Sequence, residues 1–112
     1  MNEDFSCVVR IRVKKTDSVD DEAFGRGAAS LLKGIQEYKS LNKAAKSMGM
    51  SYSKAWNSIN SIEKLLGFKL VERDGQRGSS LTSKGKNFLE VYEMAEAAAS
   101  ATANSILRNS KI

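Results

Sequence analysis

The residues best suited to chemistry share one face of residues 51–66, a segment that the sequence predicts to be a helix. They carry hydroxyl groups, amides and one ammonium group, and none is acidic. The set is Ser51, Tyr52, Ser53, Lys54, Asn57, Ser58, Asn60 and Ser61. An Asn amide can bond adenine through a donor and an acceptor at once. The pattern favours a surface that reads duplex DNA, although a polar face also occurs on any solvated helix.

The opposite side of this segment has the spacing of a buried helix face. Its apolar residues recur at i, i+4, i+7 and i+11 from Ala55, and Ser51 is a preferred N-cap residue. A preceding segment, capped by Ser40, repeats the apolar spacing and ends at Gly49, where a left-handed C-cap needs no Cβ. Two short helices joined by a three-residue turn predict a helix-turn-helix.

Two aromatic side chains near the start of this helix have two possible roles. Tyr52 and Trp56 are four residues apart, so they either stack at the edge of the core or reach the DNA backbone. We favour the core for most of Trp56 and a partial DNA contact for Tyr52. Glu63 lies further along the same helix, where we expect a structural partner rather than a catalytic acid.

A polar loop with two glycines follows the helix and lies between short apolar runs. The runs are residues 70–71 and Leu81, which predict two strands joined by a projecting loop, a wing, at residues 74–79. The loop carries donors that could reach a groove. Further candidate DNA contacts, in the wing and on the helices on either side, are Gln76, Arg77, Lys43 and Lys84.

The N-terminal segment alternates apolar and polar residues from Phe5 to Lys15, with basic side chains on the outer face. Period two predicts a strand, which needs a partner for its backbone groups. The partner is either the wing or the same strand of a second subunit. Residues 16–23 predict an acidic connector, and a first helix is expected over residues 26–38.

A long helix is expected from residue 83 or 84 to about residue 108, because this stretch has no proline and keeps an apolar face. About 25 residues extend ~37 Å, which is comparable with the full width of a compact domain of this size, so one end should overhang. Small residues on its face would let a second helix approach; the alternative is that the helix folds back on its own domain or frays after Ser100. The predicted dimerisation residues are Phe88, Tyr92, Ala95, Ala99 and Ile106.

Composition and charge exclude several classes of function. There is no histidine and one cysteine, which rules out zinc fingers and histidine-based acid–base or nucleophilic sites. No apolar run is long enough to span a membrane, and the acidic N-terminus does not resemble a secretion signal. Residues 26–90 carry twelve basic and five acidic side chains, whereas the flanking segments have no positive surplus. The helix-turn-helix and wing therefore hold the charge that a phosphate-facing surface needs.

The sequence resembles the DNA-binding domain of LysR-type regulators. The similarity lies in the pattern S-x-x-x-A-x-x-x-I-x-x-I-E-x-x-L-G-x-x-L-V-E-R at residues 51–73 and in L-T-x-x-G at residues 81–85. It is closer to ModE-type molybdate-responsive regulators in SLLKGI, SYSKAWNSIN and LVER. The resemblance implies DNA binding and dimerisation through the long helix. The molybdate-binding modules of that family are not expected in this chain, and neither is molybdate.

The sequence therefore predicts a mainly α fold with a small β component, a winged helix-turn-helix at residues 24–82 between an N-terminal strand and connector (1–23) and a long C-terminal helix (83–112). We expect a cytoplasmic, dimeric, sequence-specific regulator of transcription, without enzymatic activity, cofactor or metal. Residues 51–66 would enter the major groove. Two alternatives are a sequence-neutral architectural DNA-binding protein and a winged helix that binds other proteins.

Overall fold

The fold is a winged helix-turn-helix with a long C-terminal helix. A computed structural model describes residues 3–19, 22–75 and 78–112. The elements are, in chain order, α1 (Arg26–Tyr38), α2 (Leu41–Ser47), α3 (Tyr52–Leu66), β1 (Val71–Arg73), β2 (Ser79–Leu81) and α4 (Ser83–Arg108). This confirms the predicted fold class; the division into three segments stays a prediction.

Helices α2 and α3 form the helix-turn-helix, and the hydroxyls at their starts act as predicted. The N–H of Lys43 donates to Ser40 Oγ, and that of Lys54 donates to Ser51 Oγ, both at 3.1 Å. Gly49 in the turn has a φ of +66°, a conformation that costs a residue with a Cβ. Alanines 44, 45 and 55 are fully buried, so the two helices cross at close range.

Strands β1 and β2, on either side of the wing loop, form an antiparallel pair in which Val71 faces Leu81 and Arg73 faces Ser79. A buried carboxylate fixes the wing to α3, because Glu63 Oε2 accepts from the N–H of Leu70 at 2.7 Å and from that of Val71 at 3.1 Å. Glu63 is therefore the structural partner that the sequence predicted. The wing residues Gln76 and Arg77 lie outside the described residues.

In the part of the chain that the structure describes, the N-terminal segment does not pair with the wing strands, and its pairing with the same segment of a second subunit stays a prediction. The segment is extended and its side chains alternate as expected, but among the described residues its only ladder contact is a bridge between Val13 and Phe24. Side chains of α4 bind its backbone instead. Asn104 accepts from the N–H of Cys7 and donates to its carbonyl, at 2.6 and 3.3 Å, and Glu96 accepts from the N–H of Ile11 at 3.2 Å.

The N-terminal segment and α4 are joined through an aromatic cluster. The ring of Phe24 lies 4.9 Å from that of Phe88 and 5.1 Å from that of Tyr92, both edge to face. The chain has a radius of gyration of 16.6 Å and a longest dimension of 57 Å. These values exceed those of a compact chain of this length, so α4 overhangs the domain as predicted.

Candidate nucleic-acid interface

The outward face of α3 presents most of the predicted DNA-contacting side chains together. Its apolar side, from Ala55 to Ile62, is buried in the core, and this fixes which residues point outward. Ser58 is half-buried at the flank of the helix. The residues that are exposed are Ser51, Tyr52, Ser53, Lys54, Asn57, Asn60 and Ser61. The exposed set covers about three turns of the helix.

The two aromatic residues of α3 differ in burial. Tyr52 is 43% exposed, whereas Trp56 is half-buried and packs against the core. This placement confirms the core position expected for Trp56. The guanidinium carbon of Arg73, on β1, lies 4.1 Å from the centre of the Trp56 ring. The wing and α3 thus meet through a cation–π contact.

The hydroxyl of Ser51 has a double capacity at the start of α3. Its oxygen accepts from the N–H of Lys54, as an N-cap does. Its proton remains available, because a hydroxyl group both accepts and donates. The first turn of α3 also has no acidic residue. This end of the helix therefore offers donors, and the helix dipole favours an anion there.

A groove lies beside the C-terminal half of α3 and extends from the exposed face of this helix to residues 67–69, which lead into β1. Its volume is about 610 Å³, and its lining includes Asn57, Asn60, Ser61, Lys64 and Lys69. The last two lysines were not among the predicted contacts. The spacing contained a signal for Lys64, which lies seven residues after Asn57 and so occupies the same helix face. No comparable periodicity identifies Lys69, which follows the helix.

The helix-turn-helix surface has no exposed acidic side chain. Between residues 38 and 71 the sequence contains six lysines and one acid, Glu63. Glu63 is only 7% exposed, and its carboxylate is bound by two backbone N–H groups. The exposed surface of α2, α3 and the turns beside them is therefore uniformly neutral or positive. Such a surface attracts the phosphates of a nucleic acid, and it has no exposed carboxylate that would repel them.

The remaining predicted contacts lie at different distances from this face. Lys43 is exposed on α2, next to the N-cap Ser40. Lys84 is exposed at the start of α4, and its ammonium group lies 5.4 Å from the centre of the Phe68 ring. The structure does not describe Gln76 and Arg77, so their predicted contacts stay predictions.

The predicted dimerisation face of α4 needs correction. Tyr92 is 3% exposed, and its single hydroxyl proton is shared between two acceptors, the carbonyl of Ile11 at 3.3 Å and Glu96 Oε2 at 3.1 Å. Burial, together with the hydrogen bond to Glu96, raises the pKa of Tyr92. Phe88 is half-buried against Phe24 and Phe68. Both residues therefore face their own domain, Tyr92 against the N-terminal segment and Phe88 against Phe24 and Phe68.

The other side of α4 is uncovered within the chain. Of the predicted dimerisation residues, Ala95 is exposed, Ile106 is 69% exposed and Ala99 is half-buried. Val91 and Met94, which were not predicted, are 63% and 70% exposed on this side. The apolar face available to a partner is thus rotated away from Tyr92.

A capped helix that exposes polar and basic groups beside a two-stranded wing defines the winged helix class of DNA-binding domains. The chain belongs to the lysR family of bacterial regulatory helix-turn-helix proteins, whose sequence profile matches residues 28–86. Among the described residues, no helix is both long enough and apolar enough to cross a membrane.

Named relatives agree with this family. The transcriptional regulator ModE of Yersinia pestis and the dual regulator ModE of Escherichia coli are each 38% identical over 69 residues, covering 58% of this chain and 26% of theirs. The chain thus spans about a quarter of the length of these relatives.

The crystal structure of the CbnR DNA-binding domain in complex with DNA is similar, with a TM-score of 0.58 and 26% identity. That similarity covers 73% of this chain and 94% of the chain of the CbnR DNA-binding domain.

Proposed function

We propose that this chain binds duplex DNA in a sequence-specific manner, as a homodimer, and thereby regulates transcription. The observation that carries the proposal is the outer face of α3, which presents amides, hydroxyls and a lysine with no exposed acid. Lysine-rich surfaces bind phosphates without regard to sequence, whereas Asn side chains can distinguish bases. Family membership and the DNA-bound structure of CbnR also support the proposal.

The contacts divide according to position on the surface. Asn57 and Asn60 lie on exposed turns of α3 and would meet base edges in the major groove. Lys43 and Lys54 lie near the starts of α2 and α3, where ammonium groups would bind phosphates on either side of that groove. The wing, residues 74–79, would contact the backbone or the minor groove. Sequence preference and overall affinity should therefore depend on different residues.

The dimer would form through the uncovered face of α4. Val91, Ala95 and Ala98 recur at heptad spacing on this face, and Ile106 continues it toward the C-terminus. Small residues at the middle of the stripe would let two helices approach closely. A two-fold axis there would present two α3 helices to successive major grooves about 34 Å apart. An imperfect palindrome is the expected binding site.

The base-reading role is tested by comparing Asn57→Ala with Lys43→Ala. Asn57→Ala should change which sequences are preferred, by about 1–3 kcal/mol for a base-edge contact. Lys43→Ala should weaken all sequences alike and lower the salt dependence by about one phosphate contact. Binding of a selected duplex and of scrambled duplexes measures both effects. An Asn57→Ala protein with unaltered preference would exclude base reading and favour the architectural alternative.

The dimer is tested with a charge placed on the uncovered face of α4. Ala98→Glu should give monomers that remain folded, because Ala98 is exposed within the chain. Ala97→Glu is the matched control, one residue away and off the heptad stripe. Sedimentation at micromolar concentration and binding to a two-half-site duplex are the measurements. Dimeric Ala98→Glu, or a monomeric wild type, would contradict the proposed interface.

The proposed role requires no chemical reaction, and a regulator of this kind would act in the bacterial cytoplasm, where the chromosome lies.

A further inference from the structure

We propose that the cleft between α3 and β1 binds one phosphodiester group of the DNA backbone through Arg73, which Trp56 holds in place. The inference rests on the proposed DNA binding and extends it to two residues outside the predicted contacts. The cleft is lined by Trp56, Asn60, Lys69, Val71, Glu72, Arg73 and Asp74. It lies where the backbone must pass if α3 enters the major groove and the wing reaches the next groove.

Trp56 fixes Arg73 through its ring face. The guanidinium carbon of Arg73 is 4.1 Å from the ring centre, within the range of a cation–π contact. Stacking of this kind leaves the N–H groups at the guanidinium edge free to bind an oxyanion. The indole N–H of Trp56 is buried without an acceptor among the described residues, so the ring face alone acts on Arg73. Trp56 is thus a positioning residue.

The surroundings of Arg73 place it beside the proposed reading face of α3. Arg73 and Val71 share one side of β1, and Val71 is buried beneath α3, so Arg73 points toward the helix. Asn60 lines both this cleft and the groove along α3, which makes the cleft continuous with the proposed reading face. A planar guanidinium also matches the geometry of a phosphate.

Two acidic residues also line the cleft. Glu72 is exposed at its edge, and Asp74 accepts from the hydroxyl of Ser80 at 3.2 Å. Lys69 also lines the cleft, and its ammonium group lies 3.7 Å from Glu63 Oε1. Glu72 would repel a phosphate held by Arg73. Removing its charge should therefore strengthen DNA binding.

The test measures the salt dependence of binding to a mixed-sequence duplex of about 25 base pairs by the full chain. Arg73→Gln should reduce the log–log slope by about 0.9, the loss of one phosphate contact. Trp56→Leu should reduce it similarly, and the double variant should show no further reduction. Trp56→Phe keeps a ring face and should preserve the wild-type slope. Glu72→Gln should bind more tightly than wild type.

The outcomes separate this inference from the proposed function. If wild type binds with a steep slope and Arg73→Gln keeps that slope, Arg73 only fastens the wing and the inference is wrong. Equal slopes for Trp56→Leu and Trp56→Phe would remove the positioning role. A wild type that does not bind DNA would overturn the proposed function itself. Circular dichroism and thermal unfolding of each variant show that it is folded.

Discussion

Replacing Glu63 with alanine should loosen the wing and destabilise the whole domain. The carboxylate is 7% exposed and accepts from the N–H groups of Leu70 and Val71, at 2.7 and 3.1 Å. Each buried N–H that loses its acceptor costs about 1–3 kcal/mol, so the loss of both in Glu63→Ala should cost about 2–6 kcal/mol in the free energy of unfolding. The exposed Lys69 ammonium, 3.7 Å from the second oxygen, adds little to this.

Urea unfolding followed by circular dichroism at a helix band measures the change. A domain of this class has about 5–15 kcal/mol in total, so the midpoint should fall substantially. Glu63→Gln keeps an acceptor of the same shape and should lose only about 1 kcal/mol. The matched control is Glu90→Ala, exposed on α4, which should change little. A Glu63→Ala protein as stable as Glu90→Ala would refute the bridging role.

Three further predictions concern a glycine beside the wing strands and two residues of α4 that bind the N-terminal segment. Gly78→Ala should destabilise the domain by at least about 2 kcal/mol, because its φ is +102° and a Cβ would meet the Lys39 carbonyl. Thermal unfolding measures this change. The control is Gly27→Ala, open to solvent in α1, which should be neutral or stabilising. Tyr92→Phe should remove a loss of stability at alkaline pH. Because the pKa of Tyr92 is raised in the folded chain, the tyrosine ionises first in the unfolded chain, so wild-type stability falls as pH rises above about 10. Thermal melting from pH 8 to 11 measures this. Asn104→Leu should speed amide exchange at Cys7, whose N–H and carbonyl it binds, and unchanged exchange would count against the clasp.

The sequence predicted the helices well because their ends carry local signals. Helix α1 was expected at residues 26–38 and is found there, and α3 begins after its cap Ser51 and ends before Gly67. A cap and an apolar stripe depend on residues within a few turns of each other. The wing was also predicted, although Ser79, the last residue of the predicted loop, belongs to β2.

The partners of α4 and of the N-terminal segment could not be predicted in the same way. Alternation in residues 5–15 reports that one side is buried, and it does not identify what buries it. The segment packs on α4 and helps to bury Tyr92. The apolar side chains of α4 that stay exposed, Val91 and Met94, lie on the other side of the helix. Glu96 and Asn104, polar residues on the covered side of α4, were the available signal for this contact.

Sequence-specific binding is tested most directly by selecting bound sequences from a random duplex pool, with the full chain at physiological salt. We expect enrichment of one motif, an imperfect palindrome whose half-sites are about one helical turn, or a small multiple of it, apart. Asn57→Ala should select a different motif under the same conditions. Recovery of bound DNA without any enriched motif would contradict sequence-specific reading, and failure to retain DNA would contradict the proposed function as a whole.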